Sequence, residues 1–246
     1  MRILAILIYL LVVLIRLNIV NTPYLDENTK SLIFIFMTLL VPTFIIRPLF
    51  NKNTKNLIPL DYKELEASVE LPQGTKMYTK ASLLLKSVYV KGDRSKSSIV
   101  LNPELIEKVD IDELRFLIYH EVCHIKNNDI TKNQLFRALS YGVLPFLLVF
   151  ISGFIEFKSM NLFIAYIVLA VIIYLSGMLL YFLRIRRREL KCDSYASIHT
   201  SIHTSSATGI RALMTLKRLG ILKDTKLVLF ASHPNLDKRI QNLKNS

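Results

Sequence analysis

His120, Glu121 and His124 stand together in "LIYHEVCHIKNNDI", residues 117–130. Histidines at i and i+4 share one face of a helix, and from there both imidazoles can reach a single zinc ion. A glutamate between them is suited to take a proton from a water that the metal activates. The chemistry implied is metal-assisted hydrolysis.

The surrounding residues predict the helix this chemistry needs. At about 100° per residue, Leu114, Ile118, Val122 and Ile125 form an apolar arc with Leu117 at its edge. His120 and His124 lie about 40° apart on the flank of that arc, and Glu121 falls inside it. A carboxylate there is costly to bury without a partner, and the water of a metal centre supplies one. Asp110 is a suitable N-cap, and Glu113 holds the capping-box position. Two chance histidines on a surface helix would explain the spacing but not the glutamate among core residues.

Zinc, one ion per chain, requires a third protein ligand and an open position for water. Asp129 follows His124 at a helical phase of about 140°, so it is not expected to be a ligand. In "RRRELKCDSYA" (186–196), Glu189, Cys192, Asp193 and Ala196 share one helical face. Glu189 is the better ligand, with Asp193 one turn on to orient a ligand histidine. The competing reading of this segment is a basic juxtamembrane helix whose acids balance its arginines.

Composition indicates where such a site would sit. The 246 residues are 52% hydrophobic with mean hydropathy +0.37 and a formal charge of +13. So apolar a chain of this length belongs more often in a membrane than in solution. Four apolar stretches stand out: 3–20, 32–50, 138–155 and 162–183, the last long and uncharged. The first reads as an uncleaved helix, because no small-residue cleavage site follows it.

Segments 21–31 and 156–161 carry few basic residues, whereas Arg47 to Lys55 and "RIRRRELK" (184–191) are strongly basic. The positive-inside rule then places both termini and the polar segments in the cytoplasm. This also accounts for the basic excess without nucleic acid. Cys123 and Cys192 are the two cysteines, so no disulfide framework is expected, and reduced thiols suit a cytosolic face.

The expected fold is a mainly α integral membrane protein of about four transmembrane helices, with a cytosolic α+β zincin-like (gluzincin) metalloprotease domain. Its expected parts are a transmembrane hairpin (1–50), a cytosolic α+β segment holding the histidine helix (51–137), a second hairpin (138–183) and a cytosolic helical segment with the third ligand (184–246). "SVYVKG" (87–92) and "SSIVLN" (97–102) predict a β-hairpin.

The motifs "HEVCHIKNNDI" (120–130), "RRRELKCDSYA" (186–196) and "SHPNLDKRI" (232–240) resemble those of the HtpX-type membrane zinc metalloproteases, relatives of the eukaryotic CAAX prenyl endopeptidase. The layout of helices around them is also similar. The resemblance implies His120, His124 and Glu189 as zinc ligands, Glu121 as general base and Asp193 as partner of a ligand histidine. It further implies that His233 helps stabilise the oxyanion and that Arg239 supports the site. The Asn-Ala strand motif of that family is missing from residues 76–102. "ELKCD" is also similar to the BlaR-type sensor metalloproteases, but the chain has no extracellular ligand-binding domain of that kind.

Other residues read as structure. His199 and His203 are spaced i, i+4 and could bind a second metal, but no carboxylate lies beside them and polar Ser and Thr surround them, so they read as solvated. Cys123 is turned from His124 and reads as small-residue packing. The function expected is a membrane-embedded zinc endopeptidase acting on membrane or membrane-proximal proteins or peptides at the cytosolic face. The alternative is a zinc-binding signalling or regulatory membrane protein, which would have no need of Glu121. A transporter is poorly supported, since no ionisable residue lies mid-span in the third and fourth stretches.

Overall fold

The computed structural model describes residues 57–80, 88–92, 96–152, 159–201, 207–222 and 233–245, together with 11–16 and positions 20, 30, 31, 33, 34 and 155. Most of the apolar stretches 3–20 and 32–50 falls outside these residues, as does His203. Two compact units divide the chain: 1–51 with 134–181, and 52–133 with 182–246.

Helix α4 (Asp129–Ala138) begins in the second unit, crosses into the first at Gln134, and leads into a π-helix at Leu139–Val143 and then α5 (Leu144–Ser152). Helix α6 (Met160–Ser201) begins in this unit and crosses the boundary after Tyr181. Among the described residues it is the one helix long and apolar enough to cross a membrane. Leu162, Ile164, Val168 and Leu169 are exposed along it. The third apolar stretch is helical through Ser152, beyond which only position 155 is described before Ser159.

The second unit carries a four-stranded sheet in the order β1–β2–β4–β3. Its strands are β1 (Ile58–Pro59), β2 (Lys76–Thr79), β3 (Tyr89–Gly92) and β4 (Ser97–Leu101). Strands β3 and β4 form the expected antiparallel pair, with Val90 opposite Ile99. Strand β2 runs parallel to β4, Met77 opposite Ile99, and β1 closes antiparallel on β2. Ile99, Val100 and Leu101 are fully buried, as suits a strand paired on both sides.

Short helices α1 (Lys63–Ala67) and α2 (Pro103–Lys108) flank the sheet. Asn102 caps α2 by accepting a hydrogen bond from the Glu104 N–H, with Pro103 in the first turn. The histidine helix is α3 (Ile111–Lys126), and Asp110 caps it by accepting from the Asp112 N–H. Its apolar arc packs on β3 and β4, with Leu114, Ile118, Val122 and Ile125 all buried. The core continues through Leu213 and Leu216 of α7 (Thr208–Arg218) and Leu236 and Leu243 of α8 (Leu236–Lys244). Asn235 caps α8 by accepting from the Lys238 N–H.

The packing of α7 on α3 depends on Gly209. A Cβ at that position would stand 2.6 Å from Cε2 of Phe116, a ring with no exposed surface. With neighbours on all sides the ring has no room to yield. Gly209→Ala should therefore destabilise the unit by ~1–3 kcal/mol through overpacking. Chemical denaturation of the detergent-solubilised chain measures this, and an unchanged midpoint would show that the contact is slack.

Candidate metal centre

The site begins with the two α3 histidines. Their Nε2 atoms lie 3.2 Å apart, and His120 is buried while His124 is half-buried. Glu189 of α6 faces both: its Oε2 is 3.5 Å from His120 Nε2 and its Oε1 is 3.3 Å from His124 Nε2. One donor atom from each residue falls within 4.8 Å of the others. Two imidazole nitrogens and a carboxylate form a donor set that fits a divalent cation such as zinc.

The reverse side of each ring has its own carboxylate. His120 Nδ1 stands 3.0 Å from Asp193 Oδ1, a close contact that lies off the line of the ring N–H. Asp193 is fully buried and accepts from Arg239 Nε at 2.7 Å and Nη2 at 2.5 Å. His124 Nδ1 is 3.0 Å from Asp129 Oδ2, and the other oxygen of Asp129 takes a hydrogen bond from Arg188. Each ring is thus held between a shared donor cluster and a carboxylate–guanidinium pair, which constrains its orientation. His233 is mostly exposed, and its Nδ1 is 2.8 Å from Glu189 Oε2.

The electrostatics follow from burial opposed by these partners. Burial alone would lower His124, but hydrogen bonds to Asp129 and Glu189 outweigh it and push its pKa up to about 10. Burial would raise Glu189, but hydrogen bonds with His120, His124 and His233 hold it well below the usual carboxylate range. Asp193 is likewise lowered, with Arg239 and then His120 overcoming its burial. Glu121 goes the other way. Burial raises its pKa, and the neighbouring histidine charges offset that only in part. Glu121 is thus held above the usual carboxylate range by its surroundings.

Two expectations require correction. Asp129 is not turned away from the site. Helix α3 stops at Lys126, Asn127 serves as its C-cap, and Asn128 adopts φ 52 before α4 starts at Asp129. This left-handed residue breaks the helical phase and returns the carboxylate to His124. Nor are the cysteines separate reduced thiols: Cys123 of α3 and Cys192 of α6 are joined in a disulfide, their Cα atoms 5.4 Å apart. Once His120 and His124 are brought to Glu189, the residues beside them come within disulfide reach.

His124 Nδ1, Asp129 and Cys192 form a second compact group. There Asp129 is already engaged by Arg188 and His124, so the group serves the orientation of His124. Arg188 was not anticipated from the sequence either, since it stood as one of several basic residues after an apolar run. His199 stacks on Tyr195 with ring centroids 3.8 Å apart, and its Nδ1 is 2.9 Å from the Tyr195 carbonyl oxygen. It is packed rather than freely solvated.

The family model for peptidase family M48 matches residues 67–246. A protease HtpX homolog from Helicobacter pylori (strain Shi470) is 30% identical over 200 residues, covering 71% of this chain and 64% of that protein. Protease HtpX from Pseudomonas entomophila (strain L48) is 26% identical over 173 residues, covering 62% of this chain and 59% of its own length. The chain thus spans less than two-thirds of these relatives. The crystal structure of S. mikatae Ste24p shares the fold, with a TM-score of 0.53 and 20% identity over 96% of this chain and 62% of that one.

Ligands and their orienting partners should separate by experiment. Glu189→Ala is expected to lose bound metal about as completely as His124→Ala, because the ligands act as one set. Asp129→Ala should keep a measurable site weakened by ~10–100-fold, the usual cost of removing a partner behind a ligand histidine. Metal titration of the purified variants reads both. Retained full metal content in Glu189→Ala with an empty site in Asp129→Ala would reverse the assignment.

Proposed function

This chain belongs to peptidase family M48, and from that membership we propose that it is a membrane-embedded zinc endopeptidase cleaving membrane or membrane-proximal proteins and peptides at the cytosolic face. The observation that carries the reading is the convergence of the His120, His124 and Glu189 donor atoms to within 4.8 Å of one another, with Glu121 next to His120 in sequence and close enough to feel the charge of all three.

His120, His124 and Glu189 would hold the zinc ion, which polarises a scissile carbonyl and acidifies a water when bound. Glu121 accepts the proton from the attacking water and delivers it to the leaving amine. Its raised pKa suits a group that must do both. Asp193 with Arg239 and Asp129 with Arg188 keep the two imidazoles turned with Nε2 toward the centre. His233, exposed beside Glu189, is available to donate to developing negative charge on the substrate oxygen. Strand β3 lies at the sheet edge and packs against α3, so its outer backbone groups can pair with an extended peptide.

The setting rests on charge and hydropathy. The apolar run 162–183 is followed at once by Arg184, Arg186, Arg187 and Arg188, a cluster that favours the cytoplasmic side. Glu189 comes directly after it. Two membrane hairpins, 1–50 and 138–183, with polar segments 51–137 and 184–246 carrying the site, remain our proposal for the domain arrangement. The substrates are then proteins or peptides reached from the bilayer surface.

Glu121→Gln separates binding from chemistry. The amide keeps size and hydrogen bonding but cannot take a proton, so zinc content should stay near wild type while turnover falls by at least ~10²–10⁴. His120→Ala should lose both. Zinc stoichiometry measured beside cleavage of an unfolded, casein-like substrate tests this. Wild-type cleavage by the Gln variant would sink the peptidase mechanism.

A further inference from the structure

The Cys123–Cys192 bond plays no part in the hydrolysis, yet it lies between the two helices that carry the donor residues. Cys123 immediately precedes His124 on α3, and Cys192 lies between Glu189 and Asp193 on α6. Cys192 Sγ is 3.5 Å from His124 Nδ1. The bond therefore ties the histidine helix to the segment supplying the third donor, with 69 residues of chain separating its two ends.

A cavity of about 230 Å³ opens onto this bond, lined by Asn127, Asp129, Lys132, Arg188, Lys191 and Cys192. Three of the six lining residues are cationic. The one carboxylate, Asp129, is buried and already engaged by Arg188 and His124. The cavity thus presents net positive charge beside Cys192. Of the two cysteines, Cys192 lines the cavity with about 1% of its surface exposed, whereas Cys123 is held from behind: Asn127 Nδ2 donates to Cys123 Sγ at 3.3 Å, and Lys132 Nζ donates to the Asn127 carbonyl oxygen at 2.9 Å.

We propose that this cavity is a thiol–disulfide exchange site for small anionic thiols, and that opening the bond loosens the hold on the metal. An incoming thiolate attacks Cys192 Sγ and forms a mixed disulfide there. Cys123 Sγ leaves with the electron pair of the broken S–S bond and keeps the hydrogen bond from Asn127. A second thiolate then attacks the mixed disulfide, releasing Cys192 as thiolate and the small thiol as its own disulfide. The protein disulfide gains two electrons and two molecules of small thiol supply them. Positive charge around the sulfur under attack favours a thiolate that also carries a carboxylate over one that carries an ammonium group. With the bond open, the covalent tie beside the donor residues is gone, and α3 and α6 are joined by noncovalent contacts such as His120–Asp193 and Lys126–Tyr195.

The metal consequence rests on the ligand assignment above, whereas the exchange chemistry does not. The test uses the full-length, air-oxidised, zinc-loaded protein in detergent. Mercaptoacetate and cysteamine, similar in size and with substituents of opposite charge, are compared at equal thiolate concentration. Their rates are normalised to those on a small unstructured disulfide, and products are trapped by alkylation and weighed. Mercaptoacetate should open the bond at least ~5-fold faster, a modest electrostatic preference, with the transient adduct on Cys192. Lys132→Glu combined with Lys191→Glu should abolish or invert that preference.

Zinc loss to a chelator should quicken about 10-fold once the bond is open, the scale of losing support behind metal ligands. Free thiols in the air-oxidised protein, opening only under denaturing conditions, no charge preference, or unchanged zinc loss would each overturn the proposal. Peptide cleavage is not read, so failure of the peptidase assignment would leave these outcomes intact and be seen separately.

Discussion

Asp193 has no exposed surface, and a carboxylate so buried is tolerated only where positive charge and hydrogen bonds meet it. Arg239 supplies two hydrogen bonds from α8, and His120 approaches from α3 at 3.0 Å. One carboxylate therefore fixes three helices against one another. Breaking such a buried pair from one side costs about 3–5 kcal/mol, because the charge left behind finds no water. The same contact turns His120 so that Nε2 faces His124 and Glu189, and the rest of the site follows from that orientation.

The arrangement is repeated on the other ring. His124 is backed by Asp129, and Asp129 by Arg188. Each imidazole thus has a carboxylate behind it and each carboxylate a guanidinium, so the donor cluster is oriented by charge pairs as well as by apolar packing. The apolar arc of α3 does the complementary work. It anchors the helix to β3 and β4 and leaves the histidine flank directed toward α6.

How much of this could be read beforehand depended on whether a local rule governed each residue. Helix α3, its Asp110 cap, the i, i+4 histidines and the shared face of Glu189 and Asp193 follow from periodicity within one element, and the β3–β4 pair from an adjacent turn. Asp129 escaped because helical phase was carried past Asn128, where φ 52 resets the chain. The cysteine pairing escaped because it depends on how closely α3 and α6 approach, and single-element periodicity carries no information about that. The parallel pairing of β2 with β4 is likewise a long-range outcome. Arg188 was hidden among neighbours of the same charge, where a local pattern cannot tell one guanidinium from the next.

The central claim is that His120, His124 and Glu189, and not the neighbouring group containing Cys192, hold the metal. X-ray absorption at the zinc edge of the metal-loaded chain tests it most directly, because sulfur and imidazole scatter differently and at different distances. Only nitrogen and oxygen neighbours are expected, at ~2.0–2.2 Å, with the outer-shell pattern of two imidazoles. A sulfur neighbour at ~2.3 Å, or the pattern of a single imidazole, would contradict it.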